Sequence, residues 1–383
     1  MFIINIFDLS EKLHKKLIYL RYADLAVKPA CQSVYVFFIS ILTVNPNNYF
    51  YKEFRIMKML YKAVVLILAI IPTLNGYAAT CPDADAFNVL PSFNAPQKKP
   101  FKHFGNKLLS GFYQPFHMVQ DAIVLEGKTA TLVGKFDYDI ILHKDLEGEK
   151  VHTYLYSKGM TQWEYIGVSV TNKDGRIYVP IADRPVGEYI VKMVVEGDLS
   201  SATGYLNVVE PNRKTILFDI DGTLTLNDFE GIGDYFGSKT AAAHAYATEV
   251  VKAYTAKNYQ IVYLTGRPYW VAEDTRQWFK TNNIIPRHLH TNPSSGGLLS
   301  LDTENYKADY IRYLVNDAQL DIVRAYGNAA TDISAYARAG LPAQHTYIIG
   351  PQAGNGGTQD IGGDYSYHFS TVVKNTPAVN CRS

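Results

Sequence analysis

The chain has 383 residues, 47% hydrophobic and 19% charged, which excludes a predominantly disordered protein and gives enough length for two domains. Its formal net charge of +1 supplies no broad electropositive field, so nucleic acid is not an expected partner. Three cysteines are too few for a metal site built on thiolates.

An apolar run near the N-terminus has the form of a signal peptide. Lys58 and Lys62 precede the run AVVLILAIIPTL at 63–74, and small residues follow it at cleavage spacing, with the cut expected after Ala78. The run is shorter than the roughly 20 residues that a membrane-spanning helix needs. The pattern therefore predicts a signal peptide at 57–78 and a secreted or periplasmic protein.

The residues before this signal allow two interpretations. Met57 begins a complete signal by itself, so residues 1–56 are expected to be a mis-assigned start or an unstructured leader. A second apolar run, VYVFFISILTV at 34–44, leaves a membrane anchor as the alternative. In either case residues 1–79 are assigned to a leader.

Removal of the leader leaves two cysteines, Cys81 and Cys381, at opposite ends of the mature chain. In an oxidising compartment we expect these two residues to form a disulfide bond. The alternative is a lipid-modified Cys81, although Thr80 before it fits that modification poorly.

Residues 80–112 are predicted to be a linker, because turn formers dominate its first part and no period is sustained. From 113 to 210, short segments rich in Val, Ile, Tyr and Thr alternate with turn clusters, and the Asp-Gly pair in NKDG at 172–175 favours a hairpin. Seven strands in so short a segment predict an all-β, immunoglobulin-like sandwich. The predicted strands are 122–125, 130–136, 151–156, 163–170, 176–180, 188–195 and 202–208.

From 211 to 383 the pattern changes to alternating strands and helices. Such alternation indicates an α/β domain with a parallel sheet covered on both faces. In sheets of this kind ligands bind beyond the carboxyl ends of the strands. The predicted strands are 215–218, 261–264, 324–326 and 346–349, and the predicted helices are 241–257, 269–282, 306–315 and 333–339.

Two acids follow the first of these strands directly. Asp219 and Asp221 come after the apolar run Ile-Leu-Phe, so both can point into the crevice at the strand ends. Like charges this close need a counter-charge, and Mg²⁺ favours carboxylates together with water and phosphate. The same letters also occur in turns and calcium loops, but Thr223 and Leu224 break the calcium-loop pattern. The placement therefore favours a catalytic site.

Three further residues are candidates for holding a phosphate group. Thr265 and Gly266 follow the second predicted strand and offer a hydroxyl and backbone amides, although Thr-Gly occurs in many loops. Lys307 lies near the start of a predicted helix between the second and last strands, where it can neutralise a phosphoryl group. A lone surface lysine is more often simply solvated.

The predicted strand 324–326 is followed by Asn328 and, four residues later, by Asp332. Both offer oxygen atoms that suit Mg²⁺. Asp332 could instead cap the following helix, and the two roles are compatible.

The motifs DIDGTLT, YLTGRP, a lone lysine and GNAATD occur in this order and resemble those of the haloacid dehalogenase (HAD) superfamily of phosphatases. Within it the chain is most similar to the LNS2 domain of lipin-type phosphatidate phosphatases and of membrane-associated phosphatidylinositol transfer proteins. The resemblance spans residues 211–378, and the β-rich segment resembles the domain that precedes LNS2 in bacterial relatives. It implies a HAD-like Rossmannoid three-layer α/β/α domain at 211–383, as part of a secreted, bacterial-type protein.

The resemblance also implies a covalent mechanism. Asp219 would attack phosphorus to form an aspartyl phosphate, and Asp221 would protonate the leaving oxygen and then activate water. The phosphoryl oxygens would be held by Thr265, Gly266 and Lys307. The Mg²⁺ ligands would be Asp219, Asn328, Asp332 and the backbone carbonyl of Asp221, with Asn328 standing where many members carry an acid.

These features predict a Mg²⁺-dependent phosphomonoester hydrolase, with phosphatidate as the expected substrate and a possible peripheral membrane contact. Little sequence besides one helix and the loop 227–239 separates the first two motifs, which leaves little room for a large cap. One alternative is an acid phosphatase or nucleotidase for small esters. The other is a non-catalytic module that binds or transfers phosphatidate or phosphoinositides.

Overall fold

The computed structural model describes residues 90–139, 144–226, 241–293 and 302–380, all within one compact unit, Tyr77–Ser383. The predicted signal peptide, Cys81, Cys381 and the loop 227–239 lie outside the described residues. In the described part of the chain, no helix is both long enough and apolar enough to cross a membrane.

The first part of the described chain is a β-sandwich. Each of the seven predicted strands is present, with ends that agree to within one residue, and three short strands are added. One sheet has the order β2-β10-β9-β6-β7 and the other the order β1-β3-β8, with β4 and β5 as a separate pair. The strands are β1 Met118–Gln120, β2 Ala122–Leu125, β3 Ala130–Lys135, β4 Asp137–Tyr138, β5 Lys144–Asp145, β6 Lys150–Ser157, β7 Glu164–Val170, β8 Arg176–Ile181, β9 Gly187–Val195 and β10 Ser201–Val209.

The turn at 172–175 corrects one expectation from the sequence. Gly175 adopts a positive φ of 62°, as an Asp-Gly turn requires, but β7 pairs only with β6 and β8 only with β3. The turn therefore carries the chain from one sheet to the other and does not close a hairpin. A turn motif specifies a local reversal, whereas the strand partner is set by which faces become buried together.

A helix, α1 at Phe104–Phe112, lies inside the segment that the sequence assigned to a linker. Asn106 on α1 donates to the backbone oxygen of Glu147 at 2.9 Å and to Glu149 Oε1 at 2.8 Å. Leu109 and Phe101 pack against the core of the sandwich. The end of the predicted linker is therefore part of the sandwich domain.

The second part is a mixed α/β domain with six parallel strands in the order β13-β12-β11-β14-β15-β16. All four predicted strands and all four predicted helices are present, although their ends differ by several residues in places. The strands are β11 Lys214–Phe218, β12 Gln260–Pro268, β13 His288–Asn292, β14 Asp321–Gly327, β15 Thr346–Ile348 and β16 Gln359–Asp360. The helices are α2 Ala247–Ala256, α3 Ala272–Thr281, α4 Thr303–Asn316 and α5 Ala330–Arg338.

The buried side chains of the central strands alternate between two cores. On β11, Ile216 and Phe218 join the core formed with α2 and α3, whereas Leu217 joins the core formed with α4 and α5. Successive side chains of a strand point to opposite faces, so these helix pairs cover opposite faces of the sheet. The expected parallel sheet with helices on both sides is confirmed.

The sandwich and the α/β domain meet around a buried carboxylate. Asp121, between β1 and β2, accepts a hydrogen bond from Arg276 Nη2 of α3 at 2.6 Å. It also accepts from the backbone nitrogen atoms of Tyr205 at 2.8 Å and Leu289 at 2.7 Å. Both charged side chains are almost completely buried, so this ion pair joins β1, β10, α3 and β13 in a region from which water is excluded.

Other polar contacts extend the same interface. Tyr313 of α4 donates its hydroxyl hydrogen to the backbone oxygen of Ile123 at 2.6 Å, and Tyr269 donates to Asp137 Oδ2 at 2.7 Å. The sandwich residue Glu188 forms an ion pair with Arg287 of the α/β domain. These contacts hold the α/β domain against the sandwich at several separate places along both domains.

The buried ion pair at this interface predicts a large and graded effect on stability. Asp121→Ala removes the partner of a buried arginine and should lower the free energy of unfolding by about 3 to 5 kcal/mol. Asp121→Asn retains an acceptor and should cost less. The exposed pair of Asp321 with Lys214 provides the control, and Asp321→Ala should cost about 0 to 1 kcal/mol. Equal losses for Asp121→Ala and Asp321→Ala in denaturant unfolding would contradict this assignment.

A buried histidine at the same interface predicts a pH dependence of stability. Burial lowers the pKa of His288 from 6.5 to about 4. Between pH 6.5 and 4 the unfolded chain therefore binds a proton on His288, while the folded chain does not. The contribution of His288 to the free energy of unfolding is complete above pH 6.5. It falls by about 1.4 kcal/mol per pH unit as the pH is lowered across that range. His288→Asn should remove this component, so the stability difference between wild type and variant should shrink towards pH 4. A difference that does not change with pH would refute the prediction.

Candidate functional site

The candidate site lies where three neighbouring parallel strands end. Asp219 follows β11 immediately, and its backbone nitrogen donates to the backbone oxygen of Tyr326 near the end of β14 at 3.0 Å. On the other side of β11, Thr265 lies in the last part of β12. The sheet order β12-β11-β14 therefore brings together the strand ends that the sequence singled out.

Lys307 of α4 lies between two buried acids. Its Nζ donates to Asp219 Oδ1 at 2.6 Å and to Asp332 Oδ1 at 2.7 Å. Burial alone would lower the pKa of Lys307, but the charges and hydrogen bonds of the two acids outweigh it and raise the pKa above its usual range. Lys307 therefore carries a positive charge at the centre of the site.

Asp219 has an environment of opposing influences. Burial is the main cause that raises the pKa of Asp219 from 3.8 to about 7. The positive charge of Lys307 opposes this increase, and the negative charges of Asp332 and Asp221 add to it. Its Oδ2 accepts a hydrogen bond from Thr223 Oγ1 at 2.9 Å. Asp219 is thus held in one orientation by Lys307 on one oxygen and Thr223 on the other.

Asp332 both caps α5 and contributes to the site. Its Oδ2 accepts from the backbone nitrogen atoms of Asn328 and Ala329, each at 3.1 Å, while Oδ1 faces Lys307. A Cβ atom at Gly327 would lie 2.7 Å from the Cβ of Asp332. The close approach of strand end and helix start therefore depends on glycine at this position. The capping role expected for Asp332 is present, whereas its expected role as a Mg²⁺ ligand stays a prediction.

Asp221 is held by Arg267, an arginine that the sequence motifs did not single out. Arg267 Nε lies 2.9 and 3.0 Å from the two carboxylate oxygens, and Nη2 lies 2.6 Å from Oδ1. Thr265 Oγ1 also donates to Asp221 Oδ2, at 3.2 Å. Arg267 is itself held by Thr275 of α3, which accepts from Nη1 at 3.0 Å. An arginine two residues after Thr265, at the end of the strand next to the one that the acids follow, was the available signal.

Gly266 and Asn328 make contacts that the sequence did not specify. A Cβ at Gly266 would lie 2.8 Å from Thr303 Cγ2, so glycine permits the start of α4, and with it Lys307, to approach β12. Asn328 Oδ1 lies 3.2 Å from Thr223 Oγ1, whose one hydroxyl hydrogen is closer to Asp219 Oδ2, at 2.9 Å. Thr223, which in the sequence only argued against a calcium loop, thus lies between Asp219 and Asn328.

Within the described residues, two protein cations offset part of the charge of the three acids. Lys307 lies between Asp219 and Asp332, and Arg267 covers Asp221, whereas the counter-charge expected from the sequence was Mg²⁺. The described residues contain no cluster of three His, Cys, Asp or Glu side chains arranged for a metal ion. The site remains compatible with Mg²⁺ through oxygen donors of other kinds, because carboxylate, amide and backbone carbonyl oxygens suit this ion.

Comparison with known proteins matches both domains. Residues 216–350 match the family model described as PITM 1-3, LNS2 domain, and residues 115–208 match the model described as PITM 1-3, beta-sandwich domain. The sequence is 33% identical over 238 residues to membrane-associated phosphatidylinositol transfer protein 1 of Homo sapiens, covering 61% of this chain and 18% of that protein.

Two further relatives give the same extent. Protein retinal degeneration B of Drosophila melanogaster is 31% identical over 238 residues, 61% of this chain and 18% of that protein. Membrane-associated phosphatidylinositol transfer protein 3 of Mus musculus is 32% identical over 239 residues, 61% of this chain and 23% of that protein. The match thus spans less than a quarter of the length of these relatives, and this chain consists, in its matched part, of a β-sandwich domain followed by an LNS2 domain.

Proposed function

We propose that this chain is a lipid-recognition module that binds the phosphomonoester headgroup of a phospholipid, with phosphatidate as the model ligand. Its relatives are named as membrane-associated phosphatidylinositol transfer proteins, and we extend a lipid-related role to this chain from the two matched domains. A lipid-binding or lipid-transfer function therefore takes precedence over the hydrolase that the motifs first indicated.

The observation that carries this proposal is the contact between Arg267 and Asp221. A general acid must present a protonated oxygen to the leaving group. Both oxygens of Asp221 instead accept hydrogen bonds from Arg267, and one also accepts from Thr265. This arrangement favours a role for Asp221 in positioning Arg267 over a role as proton donor.

The other polar side chains of the site are of the types that bind a phosphate. Lys307 on α4 and Arg267 at the end of β12 supply two positive charges beside the acids, and Arg267 offers a planar donor group that matches phosphate oxygens. Thr265 adds a hydroxyl beside them. An incoming phosphomonoester dianion would compete with the acids for these donors, which is a physical basis for preferring it over a phosphodiester of lower charge.

Mg²⁺ is included in the proposal as a cofactor of phosphate binding. Asp219, the side-chain oxygen of Asn328 and the backbone carbonyl of Asp221 would hold it, while both oxygens of Asp332 are already occupied by Lys307 and backbone amides. When bound, the ion would supply positive charge to the phosphate oxygens. Asp332 would then contribute by orienting Lys307.

The second candidate is a HAD-type phosphatase that acts through an aspartyl phosphate on phosphatidate or on a small soluble ester. It is favoured by Asp219, because a buried carboxylate held by Lys307 and Thr223 is positioned at the strand end as a nucleophile would be. In that reaction Asp219 would displace the alcohol from phosphorus, and water would then release inorganic phosphate. It requires Asp221 to leave Arg267 and become protonated.

Export also remains part of the proposal, as a signal peptide at 57–78 with a Cys81 to Cys381 disulfide in the mature protein. N-terminal sequencing of the purified protein and non-reducing peptide mapping test these two assignments separately.

Phosphate recognition is tested by vesicle binding with matched lipids. Vesicles containing phosphatidate should retain the protein more strongly than vesicles of equal charge containing phosphatidylglycerol, a phosphodiester. Arg267→Gln should reduce this preference by about tenfold or more, since hydrogen bonds to charged groups contribute about 1.5 to 3 kcal/mol. Arg338→Gln removes an arginine from a half-exposed pair with Glu304 and should leave the preference unchanged. Equal retention on both kinds of vesicle would exclude the proposal.

Hydrolysis is tested by phosphate release from phosphatidate and from a soluble aryl phosphate, each with and without Mg²⁺. As a binding module, the wild-type protein should release no more phosphate than Asp219→Asn, which removes the nucleophile. Release by the wild type that requires both Mg²⁺ and Asp219 would establish the phosphatase, and the two substrates would then separate lipid from small-ester activity. Thermal unfolding of Asp219→Asn checks that loss of the ion pair with Lys307 has not unfolded the domain.

A further inference from the structure

Helix α1 exposes an apolar stripe to solvent. Phe104, Leu108 and Phe112 are spaced four residues apart and therefore lie along one face of the helix. Their exposed fractions are 71%, 44% and 80%, which is unusual for large apolar side chains placed next to one another on a folded domain. Tyr113, directly after the helix, is also exposed.

The opposite side fixes α1 on the sandwich. The carboxylate of Glu149 accepts hydrogen bonds from the backbone nitrogen atoms of Lys102 and His103, both at 2.9 Å, and from the Asn106 side chain at 2.8 Å. Leu109 packs against the sandwich core on the same side. The exposed stripe is therefore presented by a preformed and anchored helix, so a partner does not have to provide the free energy of helix formation.

The segment that carries the stripe has ionised side chains of a single sign. The segment 97–117, QKKPFKHFGNKLLSGFYQPFH, contains four lysines and no acidic residue. Lys99 forms an ion pair with Glu196, whereas Lys98, Lys102 and Lys107 are exposed beside the apolar residues. A surface that combines exposed phenylalanines with lysines is complementary to one that offers an apolar layer beneath anionic groups.

We propose that α1 docks the protein on the surface of an anionic phospholipid bilayer. Phe104, Leu108 and Phe112 would enter the boundary between headgroups and acyl chains, and the lysines would contact lipid phosphates. At nine residues α1 is about 14 Å long, so it lies in the interface and does not cross a bilayer core of about 30 Å. A second copy of this chain fits the surface less well, because a twofold contact would place the lysine clusters of the two copies together.

This inference does not rest on the phosphate-binding role of the LNS2 domain, because docking requires only negative surface charge and an apolar layer. The experiment therefore uses the full chain with vesicles of phosphatidylcholine and phosphatidylglycerol, which contain no phosphomonoester. Phe104→Ser/Phe112→Ser should reduce the partition coefficient by on the order of tenfold or more, from the lost apolar area. Lys102→Gln/Lys107→Gln should weaken binding and reduce its dependence on salt.

The matched control is Tyr367→Ser, which removes an aromatic side chain of similar exposure, 74%, from the α/β domain and should leave partitioning unchanged. Phe112→Trp locates the contact, since its fluorescence emission should shift to shorter wavelength on adding vesicles, whereas that of Tyr367→Trp should not. This readout reports on α1 even if another segment of the chain also binds membranes.

Three results would overturn the proposal. The first is equal partitioning of wild type and Phe104→Ser/Phe112→Ser, or an equal loss in Tyr367→Ser. The second is unshifted emission of Phe112→Trp in vesicle-bound protein. The third is a wild-type dimer in sedimentation that Phe104→Ser/Phe112→Ser converts to monomer without a change in vesicle binding, which would assign the stripe to self-association.

Discussion

The contact on which the site depends most is the one that Lys307 makes with Asp219 and Asp332. All three side chains are buried, so the charge of the two acids is offset by Lys307 inside the protein rather than by water. They come from α4, the end of β11 and the start of α5, and they meet only when α4 and α5 pack together on one face of the sheet. The charged centre is therefore complete only in the folded domain. Gly327 permits it by leaving space beside Asp332.

The sandwich supports this centre from the other face of the sheet. Asp121 holds Arg276 of α3, and the neighbouring residue of that helix, Thr275, accepts a hydrogen bond from Arg267. Arg267 in turn holds Asp221. The helix that is fixed by the sandwich is thus the helix that orients one of the two cations of the site. The β-sandwich, whose sequence has no catalytic motif, therefore contributes to the geometry of the site in the neighbouring domain.

The sequence predicted the strands well because β-rich segments bounded by turns specify their own limits, as the ends of the seven sandwich strands show. The sequence did not predict α1, because most apolar residues of this helix are exposed and do not form a buried face. On its inner side a single leucine packs against the sandwich. The sequence also missed β13, whose residues His288 to Asn292 are mostly polar and become strand-like only through burial against Asp121 and Tyr310. Long-range partners decide such elements.

In the site, too, the sequence predicted where residues lie along the chain but not which distant residues they contact. Strand-end motifs placed Asp219, Thr265 and Asn328 correctly at adjoining ends, because parallel strands bring their carboxyl ends to one edge. The pairing of Asp221 with Arg267 could not be read from the sequence, since 46 residues separate them and only the alignment of β11 with β12 brings them together. That pairing determines whether the acid delivers a proton or orients a donor. Residue identity thus limits the possible chemistry of the site, and the tertiary contact of each acid selects among those possibilities.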